Sequence, residues 1–178
     1  MSNKVKVTFI QKKKLSVSIM EVFKKALDKQ TLDDIGGQLV KLNQQYVRSG
    51  LDAKGNSFNP LSDKWIKRRK VLSKYNQTGP AYSHRKSNLT FTGQLIKAIQ
   101  FFSKPSEGQV VIELNEQKRT KYILPSGKKS SGPRITNRKL GEHLASKGVV
   151  FIGLTQQMRD RANKILERKL RQLLRLLK

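Results

Sequence analysis

The chain has 178 residues, 38 of them Lys or Arg and 12 Asp or Glu, so its formal net charge is +26 at pH 7. This length fits one domain, residues 1–178, that can bury a sizeable core. The absence of cysteine excludes disulfides, Cys-ligated zinc and a thiol nucleophile. Positive charge of this size repels itself, so core burial, counterions or a polyanionic neighbour must offset it. Nucleic acid is the commonest such neighbour, and an acidic protein surface is the alternative.

The apolar residues form no long run. No stretch approaches the roughly 20 apolar residues that span a bilayer. The N-terminal residues also lack the apolar run of a signal peptide. The sequence therefore predicts an intracellular protein with no membrane partner.

The N-terminal part of the sequence predicts a strand followed by a helix. Val5, Val7 and Phe9 alternate with polar residues, which is the period of a half-buried strand. Ser18 and Glu21 have the spacing of a capping box, in which each side chain bonds the backbone of the other residue at the start of a helix.

A second capping box, Thr31 with Asp34, predicts the start of the next helix. Gly50 stands where a glycine commonly ends a helix. The pair Gly36 and Gly37 inside this helix costs about 1 kcal/mol per glycine relative to alanine, which indicates a close packing contact there. The apolar stripe of this helix is Leu32, Ile35, Leu39, Leu42 and Tyr46.

A turn-rich loop, a short helix and a β-hairpin follow. The loop covers residues 51–60, and Ser62 is placed to cap a helix over residues 63–74. Residues 92–102 predict a helical turn that runs into a strand. After a turn at residues 104–108, alternating apolar residues at 110–114 predict the second strand of the hairpin.

Residues 118–148 are predicted to be an extended basic arm. Residues 118–139 hold eight Lys and Arg and no acidic residue, and several glycines and prolines interrupt regular structure there. Because such a segment buries little apolar surface, we expect it to become ordered only in an assembly.

Thr155 is placed to cap a C-terminal helix whose leucines lie opposite basic residues. A helix of this kind packs in a core or at a subunit interface, or lies on a membrane, and we favour the first two. The residues that we assign to an oligomer interface are Leu170, Leu173, Leu174 and Leu177. Together the elements predict an α+β fold, in which an antiparallel sheet with a β-hairpin is packed by N-terminal and C-terminal helices, with a long basic loop.

The sequence contains no recognisable catalytic constellation. His84 and His143 are the only histidines, and neither lies in a metal-binding spacing. Residues 126–130 lack the upstream glycine of a phosphate-binding loop. The acidic residues are few and scattered, which argues against a glycosidase pair or a nuclease metal site. We therefore expect no enzyme activity, no cofactor and no bound metal.

Two basic stretches are free of acidic residues: residues 64–104 hold ten Lys and Arg, and residues 118–139 hold eight. Flexible basic side chains can follow a phosphate backbone without reading the bases. A solvated loop and an arm that orders against a neighbouring subunit are the alternatives for the second stretch. The residues that we assign to contact with DNA or a partner are Lys67, Arg68, Arg69, Lys70, Lys128, Lys129, Arg134, Arg138 and Lys139.

Three blocks of sequence, at residues 51–62, 89–99 and 151–155, occur in a characteristic order. The first has an aspartate–glycine loop that leads to an aromatic residue and Pro-Leu-Ser. The second reads Leu, two residues, Thr-Gly, one residue, Leu, and the third reads Phe-Ile-Gly-Leu before the last helix. In order and spacing these blocks resemble the virion-morphogenesis or tail-completion family of Mu-like and related tailed phages.

The resemblance implies a non-catalytic protein of the phage neck that joins the head connector to the tail as part of an oligomeric ring. The implied partners are further copies of the chain, head-closure or connector proteins, tail-terminator or tail-tube proteins, and double-stranded DNA in the channel. The implied location is the host cytoplasm during assembly and the neck of the virion afterwards. A basic surface beside DNA, or against acidic rims of neighbouring rings, agrees with this role.

A non-specific nucleic-acid-binding cellular protein, of the nucleoid or associated with ribosomes, is the alternative. It accounts for the charge but not for the three ordered blocks. The sequence has neither an RNA-recognition aromatic signature nor a clear helix-turn-helix pattern to support it.

Overall fold

The structure is a computed structural model that describes residues 5–8, 17–78, 93–121, 123–131, 134–150 and 152–176. Over these residues the fold is α+β, with six α-helices and a three-stranded antiparallel sheet, which confirms the predicted fold class. The helices are α1 (Val17–Ala26), α2 (Lys29–Ser49), α3 (Asp63–Leu72), α4 (Gln94–Lys97), α5 (Asn137–Ser146) and α6 (Gln156–Arg175). The strands are β1 (Val5–Thr8), β2 (Ile99–Lys104) and β3 (Gln109–Leu114).

The described residues form two compact units. Unit 1 holds those of 43–100 and 113–153, and unit 2 holds those of 4–42, 101–112 and 154–178. Each unit therefore joins segments that lie far apart in the sequence. The single domain over residues 1–178 stays a prediction.

The hairpin forms where the sequence predicts it. The helical turn α4 leads directly into β2, and a short 3-10 turn at Pro105–Glu107 joins β2 to β3. β1 pairs with β3 in antiparallel register, with Val5 opposite Ile112 and Val7 opposite Val110, so the strand order is β1-β3-β2. Phe9, predicted to continue β1, lies outside the described residues.

β3 is buried more completely than its alternating sequence predicts. Val110, Val111 and Ile112 are consecutive in the strand, and all three are at most 7% exposed. β3 is the central strand of the sheet, and a central strand covered on both faces buries its residues without alternation.

The start of α2 differs from the prediction. The helix begins at Lys29, ahead of Thr31, and the Thr31 backbone N–H donates to Asp28 Oδ1 at 2.7 Å. Asp28 is therefore the residue that caps the helix, and the predicted box of Thr31 and Asp34 is wrong. The predicted end is confirmed, because Gly50 has a φ of +83° directly after α2, a conformation that glycine adopts without strain. α1 begins at Val17, and the side chain of Ser18 lies outside the described part of the chain.

The other predicted helix starts are confirmed. Ser62 Oγ accepts a hydrogen bond from the Trp65 N–H at the start of α3, and Thr155 Oγ1 accepts one from the Met158 N–H at the start of α6. A side chain that caps a helix in this way satisfies a backbone donor that has no partner within the helix.

Asp28 also gives unit 2 a pH-dependent contribution to stability. The Thr31 backbone N–H, assisted by Lys169 Nζ at 2.9 Å and opposed by partial burial, holds the pKa of the Asp28 carboxyl below its ordinary value of 3.8. A carboxyl whose pKa is lower in the folded state stabilises the fold above its unfolded pKa. That stabilisation is lost as the pH falls through the folded value.

We therefore expect Asp28→Asn, which keeps an acceptor for the cap, to be less stable than the natural chain at pH 6–7 by less than about 1 kcal/mol, because the ion pair is partly exposed. Below pH 3.8 the difference should shrink towards zero. Urea unfolding of both proteins between pH 2.5 and 7 measures this. A stability difference that does not change with pH would contradict it.

Candidate interaction surfaces

Two of the sequence blocks meet within unit 1. The Gly153 backbone N–H donates to Asn43 Oδ1 at 3.1 Å, and the Ala53 N–H donates to the Val150 carbonyl at 2.6 Å. Gly153 packs so closely on the Cβ of Ala53 that any side chain at position 153 would collide with it. The third block therefore needs a glycine where it packs on the first.

The remaining block also contacts α2. The Gln44 side chain donates to the Ile96 carbonyl at 3.3 Å, and Gly93, with a φ of +68°, precedes α4. Asn43, which was not predicted from the sequence, is 1% exposed and lies on the buried stripe of α2 four residues after Leu39. A polar residue on an apolar stripe was the available signal. Residues 89–92 and 151, which belong to these blocks, lie outside the described residues.

The aspartate of the first block has a structural role. Asp52 is 5% exposed, and its Oδ1 accepts hydrogen bonds from the Lys54 and Asn56 backbone N–H groups at 2.8 Å each. Gly55 follows with a φ of +84°. The carboxylate thus holds a tight turn together, which accounts for an aspartate and a glycine at this spacing.

α3 presents most of its basic side chains to solvent. Lys67, Arg68 and Lys70, all assigned from the sequence to contact with DNA or a partner, are exposed. The assignment of Arg69 is corrected, because it is 3% exposed and its guanidinium is enclosed within unit 1. Arg69 lies one turn after Trp65 on the inward face of the helix, and a run of four basic residues cannot all face outward on a helix.

The predicted basic arm is shorter than expected and is held within unit 1. α5 begins at Asn137, so residues 137–146 are helical rather than extended. Residues 118–136 are called the basic loop. The two ends of this loop lie side by side, because the Arg119 N–H donates to the Ile135 carbonyl at 3.0 Å. Lys128, Lys129 and Arg134 in this loop are exposed.

Two amide side chains fix the first half of the basic loop. Asn76 accepts from the Ile123 N–H at 2.8 Å and donates to the Ile123 carbonyl at 2.9 Å. Gln94 accepts from the Thr120 N–H at 3.0 Å and donates to Thr120 Oγ1 at 2.7 Å. The expectation that nothing within the subunit would hold this segment is therefore wrong. An amide offers both a donor and an acceptor, but no sequence pattern identifies which backbone group it will meet.

Arg138 and Lys139, adjacent in α5, have different environments. Arg138 Nη2 lies 3.0 Å from Glu113 Oε1, and Arg138 also pairs with Glu116. Glu113 is 8% exposed, so Arg138 neutralises a buried carboxylate. Lys139 is exposed, whereas Arg138 makes ion pairs within unit 1, and the assignment of both residues to contact with DNA or a partner stays a prediction.

The apolar stripe of α6 becomes more exposed towards its C-terminal end. Met158 is 0% exposed and Leu166 is 7%, whereas Leu174 is 47% exposed and Leu176 is 82%. Of the predicted interface residues, Leu170 and Leu173 are half-buried, Leu174 is exposed, and Leu177 lies outside the described residues. The first half of α6 thus belongs to the core of unit 2, and its last turns present leucines to solvent.

No family model matches the sequence, and no curated protein or solved structure is similar to it. Among the described residues, no group of three or more His, Asp or Glu side chains is placed to hold a metal ion. None of the helices in the described ranges is long and apolar enough to cross a membrane.

Proposed function

We propose that this chain is a structural protein of a tailed-phage neck, a tail-completion protein that joins the head connector to the tail as one subunit of a ring. The observation that carries the proposal is the packing of the three sequence blocks. The blocks that resemble the tail-completion family are far apart in the sequence, yet their described residues contact α2 or one another within unit 1.

The contacts between these blocks support a shared structural role. The contact with Ala53 requires a glycine at position 153. Asp52 holds the turn of the first block together, and the positive φ at position 93 favours glycine there. Each of these residues has a packing or backbone function, and a protein that works by assembly needs such residues more than it needs reactive side chains.

The exposed surfaces fit a ring subunit in contact with DNA and with other proteins. The exposed leucines at the end of α6 lie on a helix whose other face is rich in arginine, a composition typical of protein interfaces. The exposed lysines of α3 and of the basic loop fit a channel or rim beside phosphates or acidic subunits.

A non-specific nucleic-acid-binding protein of the cell is the second candidate, and the exposed basic surface of unit 1 favours it equally. Assembly distinguishes the two. A monomer that binds any duplex and ignores phage proteins fits the second candidate, whereas incorporation into rings with connector or tail proteins fits the first.

Deleting the gene from a phage that carries it should leave DNA-filled heads and separate, complete tails, because only the joining step is lost. Electron microscopy of the lysate measures this, and a plasmid copy of the natural chain should restore joined virions. A plasmid copy with Leu174→Glu should not restore them, while Lys24→Glu on α1, also exposed, serves as the matched control. Complete virions from the deletion lysate would rule the neck role out.

A further inference from the structure

Two parts of unit 1 expose basic side chains without acidic ones. Residues 64–78 and the basic loop contain no Asp or Glu. Of the other acidic residues described in unit 1, Asp52 accepts hydrogen bonds in its turn and Glu113 and Glu116 pair with Arg138, while Asp63 at the start of α3 and Glu142 in α5 are exposed. The exposed basic residues of the two parts are Lys64, Lys67, Arg68, Lys70, Lys74, Lys118, Lys128, Lys129 and Arg134.

Asn76 brings these two parts together. It follows α3 by four residues, and its Nδ2 donates both to the Leu72 carbonyl at 2.8 Å and to the Ile123 carbonyl at 2.9 Å. Ile123 forms an antiparallel bridge with Lys129, so the chain turns back between these two residues. Lys128 and Lys129 therefore lie on a turn that is held beside the end of α3.

We propose that α3 and the basic loop form one preassembled surface that binds the phosphate backbone of double-stranded DNA, with Asn76 as its positioning residue. This inference deepens the proposed neck function and rests on it, because the neck is the place where this chain would contact DNA. It assigns the DNA contact to unit 1 rather than to the basic face of α6.

The kind of basic residue distinguishes DNA from an acidic protein as the partner. Seven of the nine exposed basic residues on this surface are lysines. Lysine is depleted in protein–protein interfaces, where arginine is enriched, but it serves well as a point charge against phosphate. The exposed basic residues of α6 are mostly arginines beside exposed leucines, so α6 fits a protein partner better.

The aromatic side chains favour a duplex over a single strand. Proteins that bind single strands stack successive bases on open aromatic rings. Here Arg68 lies over the Trp65 ring at 5.6 Å from its centroid, and Tyr75, at 44% exposed, is the one open ring on the described part of this surface. Phosphate contacts without base stacking suit the outside of a duplex.

Asn76 carries no charge, so its contribution to binding is separable from that of the lysines. Holding the loop in place before binding removes an ordering cost at the moment of binding. We expect Asn76→Ala to weaken duplex binding about threefold to tenfold without changing the salt dependence, because the same phosphate contacts form in the end. Lys128→Ala with Lys129→Ala should reduce the slope of log K against log[salt] by about 2, since each lost phosphate contact removes about 0.9.

The decisive measurement combines these changes. Binding of the purified full chain to a 30-base-pair duplex is titrated by fluorescence anisotropy from 50 to 300 mM NaCl. In the Lys128→Ala/Lys129→Ala background, Asn76→Ala should have no further effect, because its role is to position those lysines. Gln94→Ala, which releases Thr120 instead, should behave like Asn76→Ala. Lys24→Ala with Lys25→Ala, which removes two exposed charges from unit 2, is the control and should leave the slope unchanged.

Four outcomes would overturn the inference. Two concern Asn76→Ala: an equal loss of duplex binding in both backgrounds, or no loss in either. The other two concern the ligand: equal displacement of the duplex by poly-glutamate at the same charge concentration, or tighter binding to a single strand of the same length. Poly-glutamate displacement would indicate an acidic protein as the partner. Any of these four outcomes is compatible with the neck role if the deletion phage still yields separate heads and tails. Conversely, the expected binding together with complete virions from the deletion phage would contradict the neck role alone.

Discussion

Gly36→Ala is expected to lower the free energy of unfolding by about 1–3 kcal/mol, although helix propensity alone predicts a gain of up to about 1 kcal/mol. Gly36 lies inside α2 and packs on the ring of Phe101 in β2. A Cβ at this position would lie 2.6 Å from Cγ and 2.8 Å from Cε2 of that ring. Because rotation of the ring about its own axis does not move Cγ, the whole side chain, the helix or the strand must move.

The next residue supplies the control. A Cβ at Gly37 would have no neighbour within 4 Å, so Gly37→Ala should raise the stability by up to about 1 kcal/mol. In a chain of 178 residues 1 kcal/mol corresponds to about 2–4 °C in Tm. Thermal unfolding followed by circular dichroism should therefore move in opposite directions for the two variants.

The cause can be tested through the ring itself. In a Phe101→Ala background the collision is removed, so Gly36→Ala should be neutral or stabilising there. Equal Tm changes for Gly36→Ala and Gly37→Ala in the natural chain would contradict the packing explanation.

The sequence predicted local structure well where a single residue type determines it. The caps at Ser62 and Thr155, the end of α2 at Gly50 and the hairpin of β2 and β3 all follow from short-range rules of hydrogen bonding and backbone conformation. The cap of α2 was missed because Thr31–Asp34 fits the same pattern as the true cap, Asp28, three residues earlier.

The interaction surfaces could not be fully predicted, because they depend on contacts between residues that are far apart in the sequence, and a local sequence pattern does not contain such contacts. The charge count identified the basic stretches, but it could not show that Arg69 faces inward or that Arg138 is paired with Glu113. Composition likewise predicted a free basic arm, because the hydrogen bonds from Asn76 and Gln94 that hold the loop come from residues far away in the sequence. The leucines of α6 were identified from their helical period, which does not show which of them are exposed. Their exposure depends on where the packing partners of α6 end along the helix.

Arg138→Ala is expected to lower the free energy of unfolding by about 2–3 kcal/mol, whereas Lys139→Ala should change it by less than about 0.5 kcal/mol. The sequence assigned both residues to contact with DNA or a partner. The structure separates them, because the Arg138 guanidinium faces Glu113 while Lys139 is exposed. Glu116, which is mostly exposed, should contribute little.

The large effect comes from the carboxylate that Arg138 leaves behind. The Glu113 side chain is 11% exposed, so losing Arg138 removes the positive charge that faces a largely buried carboxylate, which costs free energy. Arg138→Ala combined with Glu113→Gln should therefore recover a large part of the loss. Urea unfolding at pH 7 of the single variants and the pair measures this. A loss for Lys139→Ala as large as that for Arg138→Ala would mean that α5 responds to any lost positive charge, rather than to the loss of one ion pair at the base of the basic loop.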